Sequence, residues 1–110
     1  MSKLAQYDPQ SNAMYVHLSS RKAWETMEVN QHLNMDLDKT GHIVGVELLD
    51  VRQFIRQVFG SNPTSEKIKS LKVEVCTETG DEVVLRMNYA DESVLYAIPK
   101  AYTSPLVAGA

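Results

Sequence analysis

A hairpin pattern in the first half of the chain constrains the fold more than any other feature. Apolar residues recur at every second position on both sides of the short polar turn Lys39-Thr40-Gly41, which predicts two antiparallel strands with one buried face. These residues are Leu33, Met35 and Leu37 before the turn, and Val44, Val46 and Leu48 after it. The chain is therefore expected to build a sheet that covers a core on one side.

The register of this hairpin has two solutions. Pairing Leu37 with His42 and Asp38 with Gly41 places the six apolar side chains on one face, which burial favours, and this is the register we expect. The alternative is a three-residue loop with Gly41 in the left-handed conformation and a bulge beside it, which shifts the register by one residue.

Shorter strands with the same alternation flank the hairpin. We expect them at about residues 4–7, 13–18, 23–29, 71–76, 83–89 and 94–98. A turn, Asp8-Pro9-Gln10-Ser11-Asn12, joins the first two, since Pro9 fixes φ and the side chains of Asp8 and Asn12 can bond nearby backbone amides.

One short helix is predicted over about residues 51–59. The residues Val51, Phe54, Ile55, Val58 and Phe59 have the spacing of a helix that packs on one face. Asp50 is expected to be the N-cap, with Gln53 at the capping-box position and Leu49 and Phe54 forming a hydrophobic staple. Gly60 is expected to end the helix.

The chain of 110 residues is expected to form a single α+β domain over residues 1–110. Residues 3–60 supply the first strands and the helix, residues 61–99 add strands that extend or close the sheet, and residues 100–110 form a loose tail. The sheet is predicted to be curled, mostly antiparallel and built of consecutive hairpins, with the helix on one face. Because one short helix cannot cover so many strands, the sheet must either fold on itself or bury its remaining face and edges against another copy of the chain. We expect a homodimer.

Composition excludes several classes of function. The formal net charge of −3 disfavours a general binder of nucleic acid or of anionic membranes, both of which need a basic face. Cys76 is the only cysteine, so no disulfide can form within the chain, which fits a reducing cytoplasm. No apolar run approaches the roughly 20 residues of a membrane span, and the first residues lack a signal-peptide core. We expect a cytoplasmic protein that binds neither nucleic acid nor membrane.

An acidic cluster is predicted on the polar face of the hairpin. It consists of Asp36, Asp38 and Glu47, with Asn34 beside them. Clustered carboxylates can bind a hard cation or act as an acid–base pair. Calcium sites, however, use oxygen ligands on irregular loops, whereas these residues lie on regular strands, so we interpret the cluster as the solvated face of a half-buried sheet.

The other chemically capable side chains carry no recognisable site pattern. His17, His32 and His42 lack the spacing of zinc ligands and are expected at the surface. Cys76 could act as a nucleophile only with a histidine beside it, and packing is the simpler interpretation. Tyr7, Tyr15 and Trp24 could form an aromatic platform, but core or interface packing suits an acidic chain better. No catalytic residue and no metal ligand is therefore assigned, no cofactor is expected, and cofactor-binding residues are left open.

One pattern within residues 3–52 consists of Tyr7-Asp8-Pro9, Asn12-Ala13-Met14-Tyr15-Val16, Asn34-Met35-Asp36-Leu37-Asp38, Gly41 and Gly45-Val46-Glu47-Leu48-Leu49-Asp50. This pattern resembles the family named Domain of Unknown Function 2283. The resemblance implies a small prokaryotic or phage protein, encoded near other small proteins, and hence a partner system of the antitoxin kind. It supplies no catalytic residue, and residues 61–110 lie outside it.

Two hypotheses of function follow. The favoured one is a non-enzymatic, self-associating interaction module, such as the regulatory or antitoxin-like member of a small protein pair. The alternative is a small-ligand-binding or enzymatic domain whose site, in the fold of the sheet or at a dimer interface, draws on Glu47, Asp36, His17 and Tyr15. The two differ in whether these four side chains converge in a concave pocket or spread over a flat face.

Overall fold

The alternating apolar residues form strands of two antiparallel sheets in the computed structural model, which describes residues 5–100. Sheet A contains β1 (Ala5–Asp8), β2 (Ala13–His17), β3 (Glu25–Asn30), β4 (Leu33–Leu37) and β5 (Ile43–Leu49). Helices α1 (Val51–Phe59) and α2 (Ser65–Ile68) follow, and sheet B contains β6 (Lys72–Glu78), β7 (Glu82–Tyr89) and β8 (Glu92–Pro99). The predicted α+β class, with a curled antiparallel sheet and a helix at 51–59, is confirmed.

The strand order of sheet A is β1-β2-β5-β4-β3. Three hairpins join strands that follow one another in sequence, but β2 pairs with β5, so β2 through β5 form a Greek key. Local alternation predicts each hairpin and contains no information on the pairing of β2 with β5. This pairing sets Tyr15 on β2 opposite Glu47 on β5, and it therefore determines which polar side chains meet.

The loop between β4 and β5 takes the alternative register, so the expected pairing of Leu37 with His42 is wrong. Leu37 pairs with Ile43, and Asp38 closes the loop by donating its N–H to the carbonyl of His42 at 2.8 Å. Gly41 has φ +87° and donates its N–H to the carbonyl of Asp38 at 3.0 Å. A three-residue loop ending in a left-handed glycine is thus more favourable here than the two-residue turn.

A bulge at Val44 explains why the expected apolar face still forms. Asp36 pairs with Gly45 while Leu37 pairs with Ile43, so Val44 is an extra residue in β5. The bulge shifts the register by one more residue, which restores the alternation and sets the buried pairs Leu33–Leu48 and Met35–Val46 on one face. Ile43 belongs to the core cluster, in the place where the sequence pattern predicted Val44.

The start of α1 differs from the expected capping box of Asp50 and Gln53. Asp50 has left-handed angles of φ 53° and ψ 52°, and its side chain makes no cap hydrogen bond. Asn12 takes that role from the turn between β1 and β2: its Oδ1 accepts the N–H of Arg52 at 3.2 Å, and its carbonyl accepts the N–H of Val51 at 3.0 Å. Asp50 is held in place because its Oδ1 accepts a hydrogen bond from Nδ2 of Asn12 at 3.0 Å.

The apolar side of α1 packs where the two sheets meet. The ring of Phe54 lies 6.0 Å from that of Tyr96, and the ring of Phe59 lies 5.2 Å from that of Tyr89, both measured between centroids. Gly60 ends the helix with φ +75° and donates its N–H to the carbonyl of Arg56 at 2.9 Å, which confirms the predicted C-terminus. Residues of both sheets and of α1 belong to one buried core cluster.

Sheet B is a separate three-stranded sheet, so the expectation that residues 61–99 extend the first sheet is corrected. Helix α2 was not predicted, because its four residues are too few to show periodicity; the side chain of Thr64 caps it by accepting the N–H of Lys67. Among residues 5–100, neither helix has the length and apolar composition that crossing a bilayer requires.

The last expectations concern residues near the two ends of the chain. Lys100, expected to begin a loose tail, is tied to the body of the protein: its backbone N–H donates to the carbonyl of Asp81 at 2.7 Å, and its ammonium donates to the carbonyl of Gly41 at 2.9 Å. The rest of the expected tail, residues 101–110, and the expected strand residue Leu4 lie outside the described residues.

Candidate functional site

The polar side chains singled out in the first half of the chain lie together on the outer face of sheet A. Glu47 on β5 stands between Tyr15 on β2 and Asn34 on β4. Two residues further along each strand, on the same face, Gly45 stands between His17 and Asp36. The Greek key therefore brings all four residues of the alternative hypothesis, Glu47, Asp36, His17 and Tyr15, to one surface.

Tyr15 lies diagonally across Gly45 and reaches the far strand. Its hydroxyl donates a hydrogen bond to Oδ2 of Asp36 at 2.8 Å, and Thr26 on β3 donates to Oδ1 of the same carboxylate at 2.6 Å. A Cβ at position 45 would lie 2.6 Å from Cζ of Tyr15, so only glycine leaves room for the ring. The ring of His17 packs edge-on against Tyr15, with centroids 4.6 Å apart.

The environment of Tyr15 keeps its phenol protonated. Burial of the hydroxyl raises its pKa above the ordinary value of 10.0, and the hydrogen bond to Asp36 and the negative charges of Asp36 and Glu47 raise it further. A phenol held neutral in this way donates a hydrogen bond well but is a poor base or nucleophile near neutral pH.

The remaining polar groups of this face bond to one another. Nδ2 of Asn34 donates to Oε1 of Glu47 at 3.1 Å, and both oxygens of Asp36 accept hydrogen bonds from Tyr15 and Thr26. In the described chain, no group of three or more His, Cys, Asp or Glu side chains is arranged to hold a metal ion. The face has the bonding of a polar sheet surface whose side chains fix each other's positions.

Asp38 does not lie in the acidic cluster in which it was expected. Its side chain organises the hairpin loop instead. Its Oδ1 accepts the hydroxyl of Thr40 at 2.7 Å and the N–H groups of Thr40 and His42 at 2.8 and 3.0 Å, while Oδ2 accepts from Arg21 at 3.1 Å. The hydroxyl of Thr40 above all, with the N–H of His42 and the guanidinium of Arg21, holds the pKa of Asp38 far below its ordinary value. The charged form of Asp38 is therefore the one that organises the loop.

The three histidines lie apart, and one of them corrects the expectation of surface positions. His17 and His42 are exposed, but His32 is buried beside Phe54, where its ring lies 6.1 Å away between centroids. Nδ1 of His32 is 3.1 Å from the carbonyl oxygen of Leu49, which can only accept, so Nδ1 carries the proton. Its Nε2 is buried with no partner among residues 5–100.

Cys76 is exposed at the bulge of β6 in sheet B, whereas the three histidines lie on or beside the strands of sheet A. Tyr7 matches the packing interpretation: it contacts the core, and its hydroxyl donates to Oδ1 of Asn12 at 3.0 Å.

Trp24 does not pack in the core, which corrects that part of the expectation. Its side chain is 66% exposed, and Nζ of Lys39 lies 5.3 Å from the ring centroid. The indole lines a cavity of about 360 Å³ whose walls are Lys22, Ala23, Trp24, Asp38, Lys39 and Thr40. This space, the Trp24 cavity, was not found from the sequence, because Lys22 and Lys39 line the same space only when the hairpin folds back on the segment before β3.

A second cavity lies on the other side of the same loop, between the two sheets. It measures about 350 Å³, and its polar walls include His42, Glu78 and Lys100. Glu78 and Lys100 form an ion pair at 2.8 Å, and Oε2 of Glu78 also accepts the N–H of Ile43 at 2.7 Å. These charges hold sheet B against sheet A, so their first role is structural.

The edge strand β8 exposes apolar side chains among the described residues. On the outer face of sheet B, Leu95 is 62% exposed, with exposed Ala97 two residues on and half-buried Val84 opposite Ala97. Exposed apolar side chains on an edge strand are typical of surfaces that meet another chain.

Comparison with known proteins gives one match, and it covers the first sheet. No curated protein and no solved structure matches the chain. The family match begins at the first residue of β1 and ends at Arg52, the residue whose N–H donates to the capping side chain of Asn12. The match therefore contains sheet A and leaves sheet B unmatched. Residues 5–52 of this chain are similar to the family described as "Protein of unknown function (DUF2283)".

Proposed function

We propose that this protein is a non-enzymatic interaction module that forms a homodimer through strand β8. The two sheets have four edge strands, β1 and β3 in sheet A and β6 and β8 in sheet B. Three of them carry features that discourage pairing with another chain. β1 has only four residues, β3 carries Glu25 and Glu28, and β6 carries Lys72, Glu74 and Glu78 with a bulge.

The edge of β8 lacks these features. Glu92 is its first residue, and Ser93–Pro99 contains no charge. Two antiparallel copies of β8, related by a twofold axis, would join their three-stranded sheets into one sheet of six strands. The exposed side chain of Leu95, flanked by Ala97 and Val84 on the outer face, is the observation that carries the proposal.

The bonding on the outer face of sheet A supports a non-enzymatic role. Tyr15 bonds to Asp36 and Glu47 bonds to Asn34, so the polar groups that could act as acid or base serve one another. The exposed, unbridged Cys76 supports a reducing compartment such as the cytoplasm. A regulatory or antitoxin-like role, which the family resemblance implies, would use the same free edge for a small partner protein.

Sedimentation velocity over a range of concentrations tests the proposal. We expect the full chain to sediment as a dimer and Leu95→Lys to shift it toward the monomer, because the lysine would bury a charge at the centre of the interface. Trp24→Lys is the matched control, since it introduces the same charge at an equally exposed apolar residue just before β3 and should stay dimeric.

A monomer at the highest soluble concentration, or a Leu95→Lys variant that stays dimeric, would overturn the proposed interface. A one-to-one complex with a small partner protein that excludes the homodimer would overturn self-association as the role of this edge. Circular dichroism of each variant establishes that the fold is retained, so that a change of mass reports on the interface.

A further inference from the structure

The Trp24 cavity combines a fixed aromatic surface with positive charge. The backbone N–H of Trp24 donates to the carbonyl of Leu37 at 2.7 Å, so the edge of the sheet holds the backbone that carries the indole. The residue is 66% exposed, and an exposed indole is a good stacking partner for a flat ring.

The charges around this indole oppose the sign of the whole chain. Lys22 and Lys39 line the cavity, and Asp38 is the one carboxylate among its walls, whereas the chain as a whole carries −3. Asp38 is already neutralised by Arg21, and its side chain is only 10% exposed. In the described part of the chain, the ammonium groups of Lys22 and Lys39 have no carboxylate within 4.0 Å, so both are available to an anion.

The size of the cavity selects the kind of anion. Its volume of about 360 Å³ falls in the range of about 300–1,000 Å³ that small-molecule sites occupy. A long polyanion would also meet the acidic remainder of the surface, which repels it. The space therefore suits one flat ring with one anionic group attached by a short linker.

We propose that the Trp24 cavity binds a nucleoside monophosphate, with the base stacked on Trp24 and the phosphate held by Lys22 and Lys39. In the cation–π contact, the ammonium of Lys39 lies over one face of the indole, 5.3 Å from the ring centroid, so it is held next to the stacking surface before any ligand arrives. Thr40, fixed to Asp38 through its hydroxyl and its N–H, keeps the loop that carries Lys39 in one conformation.

Tryptophan fluorescence tests the proposal directly, because Trp24 is the only tryptophan of the chain. Titration with adenosine 5′-monophosphate should quench the emission saturably, and added salt should weaken the binding. Lys22→Gln and Lys39→Gln should each raise the dissociation constant at least about fivefold. Lys72→Gln, on an exposed lysine of sheet B, is the control and should leave binding unchanged.

Calorimetry completes the test, because Trp24→Ala removes the fluorescent reporter. We expect Trp24→Ala to abolish the binding heat for adenosine 5′-monophosphate while the circular dichroism spectrum stays that of the parent. Inorganic phosphate binding as tightly as the nucleotide would overturn the stacking, and adenosine binding as tightly would overturn the role of the lysines. Binding of a single-stranded oligonucleotide but not of the mononucleotide, or no saturable signal with the four common monophosphates, would overturn the proposal.

Discussion

Asn12 caps a helix that begins thirty-nine positions later in the chain: its Oδ1 accepts the N–H of Arg52 at 3.2 Å. The same oxygen accepts the hydroxyl of Tyr7 at 3.0 Å, and Nδ2 donates to Asp50 at 3.0 Å. One amide therefore connects the first hairpin, the end of β5 and the start of α1. This explains why the turn that follows β1 contains asparagine where the backbone takes φ +55°.

Asn12→Ala should lower the free energy of unfolding by about 1–2 kcal/mol, because it removes the cap and adds strain at a left-handed position. Urea denaturation followed by circular dichroism measures the loss. Ser11→Ala is the control, since Ser11 is exposed and bonds only locally to Asp8 at 2.9 Å, and it should cost far less. Equal losses in the two variants would contradict the capping role.

Gly45→Ala should destabilise the protein by about 1–3 kcal/mol, because the added methyl group overlaps the ring of Tyr15. The cause is specific to one pair, so the same substitution in a Tyr15→Ala background should cost much less. A double-mutant cycle in urea measures the coupling. Gly80→Ala is the control, since nothing lies within 4 Å of a Cβ there; additive losses at positions 15 and 45 would contradict the overlap.

The alkaline stability of the protein should depend on Tyr15. Folding raises the pKa of this phenol above its ordinary 10.0, so its contribution to stability is fully present below pH 10 and is lost as the pH rises from 10 toward the folded pKa. Tyr15→Phe should cost about 1 kcal/mol at pH 8 through the lost hydrogen bond to Asp36, and the difference from the parent should shrink above pH 10.

Urea denaturation of the parent and Tyr15→Phe between about pH 8 and pH 11 checks this dependence. Thr26→Val is the control, because it removes the other hydrogen bond to Asp36 without removing a phenol. Its difference from the parent should not shrink in the same range. A constant difference for Tyr15→Phe across that range would show that ionisation of Tyr15 is not linked to folding.

Much of the fold could be predicted from residue patterns that act locally. Period-two alternation identified the strands, and the apolar stripe with Gly60 located α1 and its end. The errors arose where two different local structures fit the same pattern of apolar residues. The loop at Gly41 and the bulge at Val44 bury the same apolar face by a different register, and hydrophobic pattern alone cannot distinguish the two.

The candidate sites were harder to predict because long-range contacts create them. The outer face of sheet A needs the pairing of β2 with β5, which the pattern of hairpins does not contain. Likewise, Trp24 is a typical core residue by type, yet it lies exposed beside Lys39, which the hairpin loop brings from fifteen positions away. Local propensity determines which strands form, and their pairing decides which side chains meet.

The contact between the sheets gives the sharpest test of the fold, because residues 5–100 contain two lysine– or arginine–glutamate pairs that differ in burial. Glu78 pairs with Lys100 at 2.8 Å with side-chain exposures of 19% and 10%, and Glu74 pairs with Arg86 at 3.3 Å with exposures of 40% and 47%. Glu78 also accepts the N–H of Ile43 from sheet A, whereas both members of the other pair belong to sheet B.

Glu78→Ala should therefore lower the free energy of unfolding by about 2–3 kcal/mol, because it removes the carboxylate that accepts both the partly buried ammonium of Lys100 and the backbone N–H of Ile43. Glu74→Ala should cost less than about 1 kcal/mol, since water solvates both groups of an exposed pair. Urea denaturation compares the two losses, and hydrogen exchange at the Ile43 amide should accelerate only in Glu78→Ala. Equal losses, or an unchanged exchange rate at Ile43, would mean that apolar packing alone holds the two sheets together.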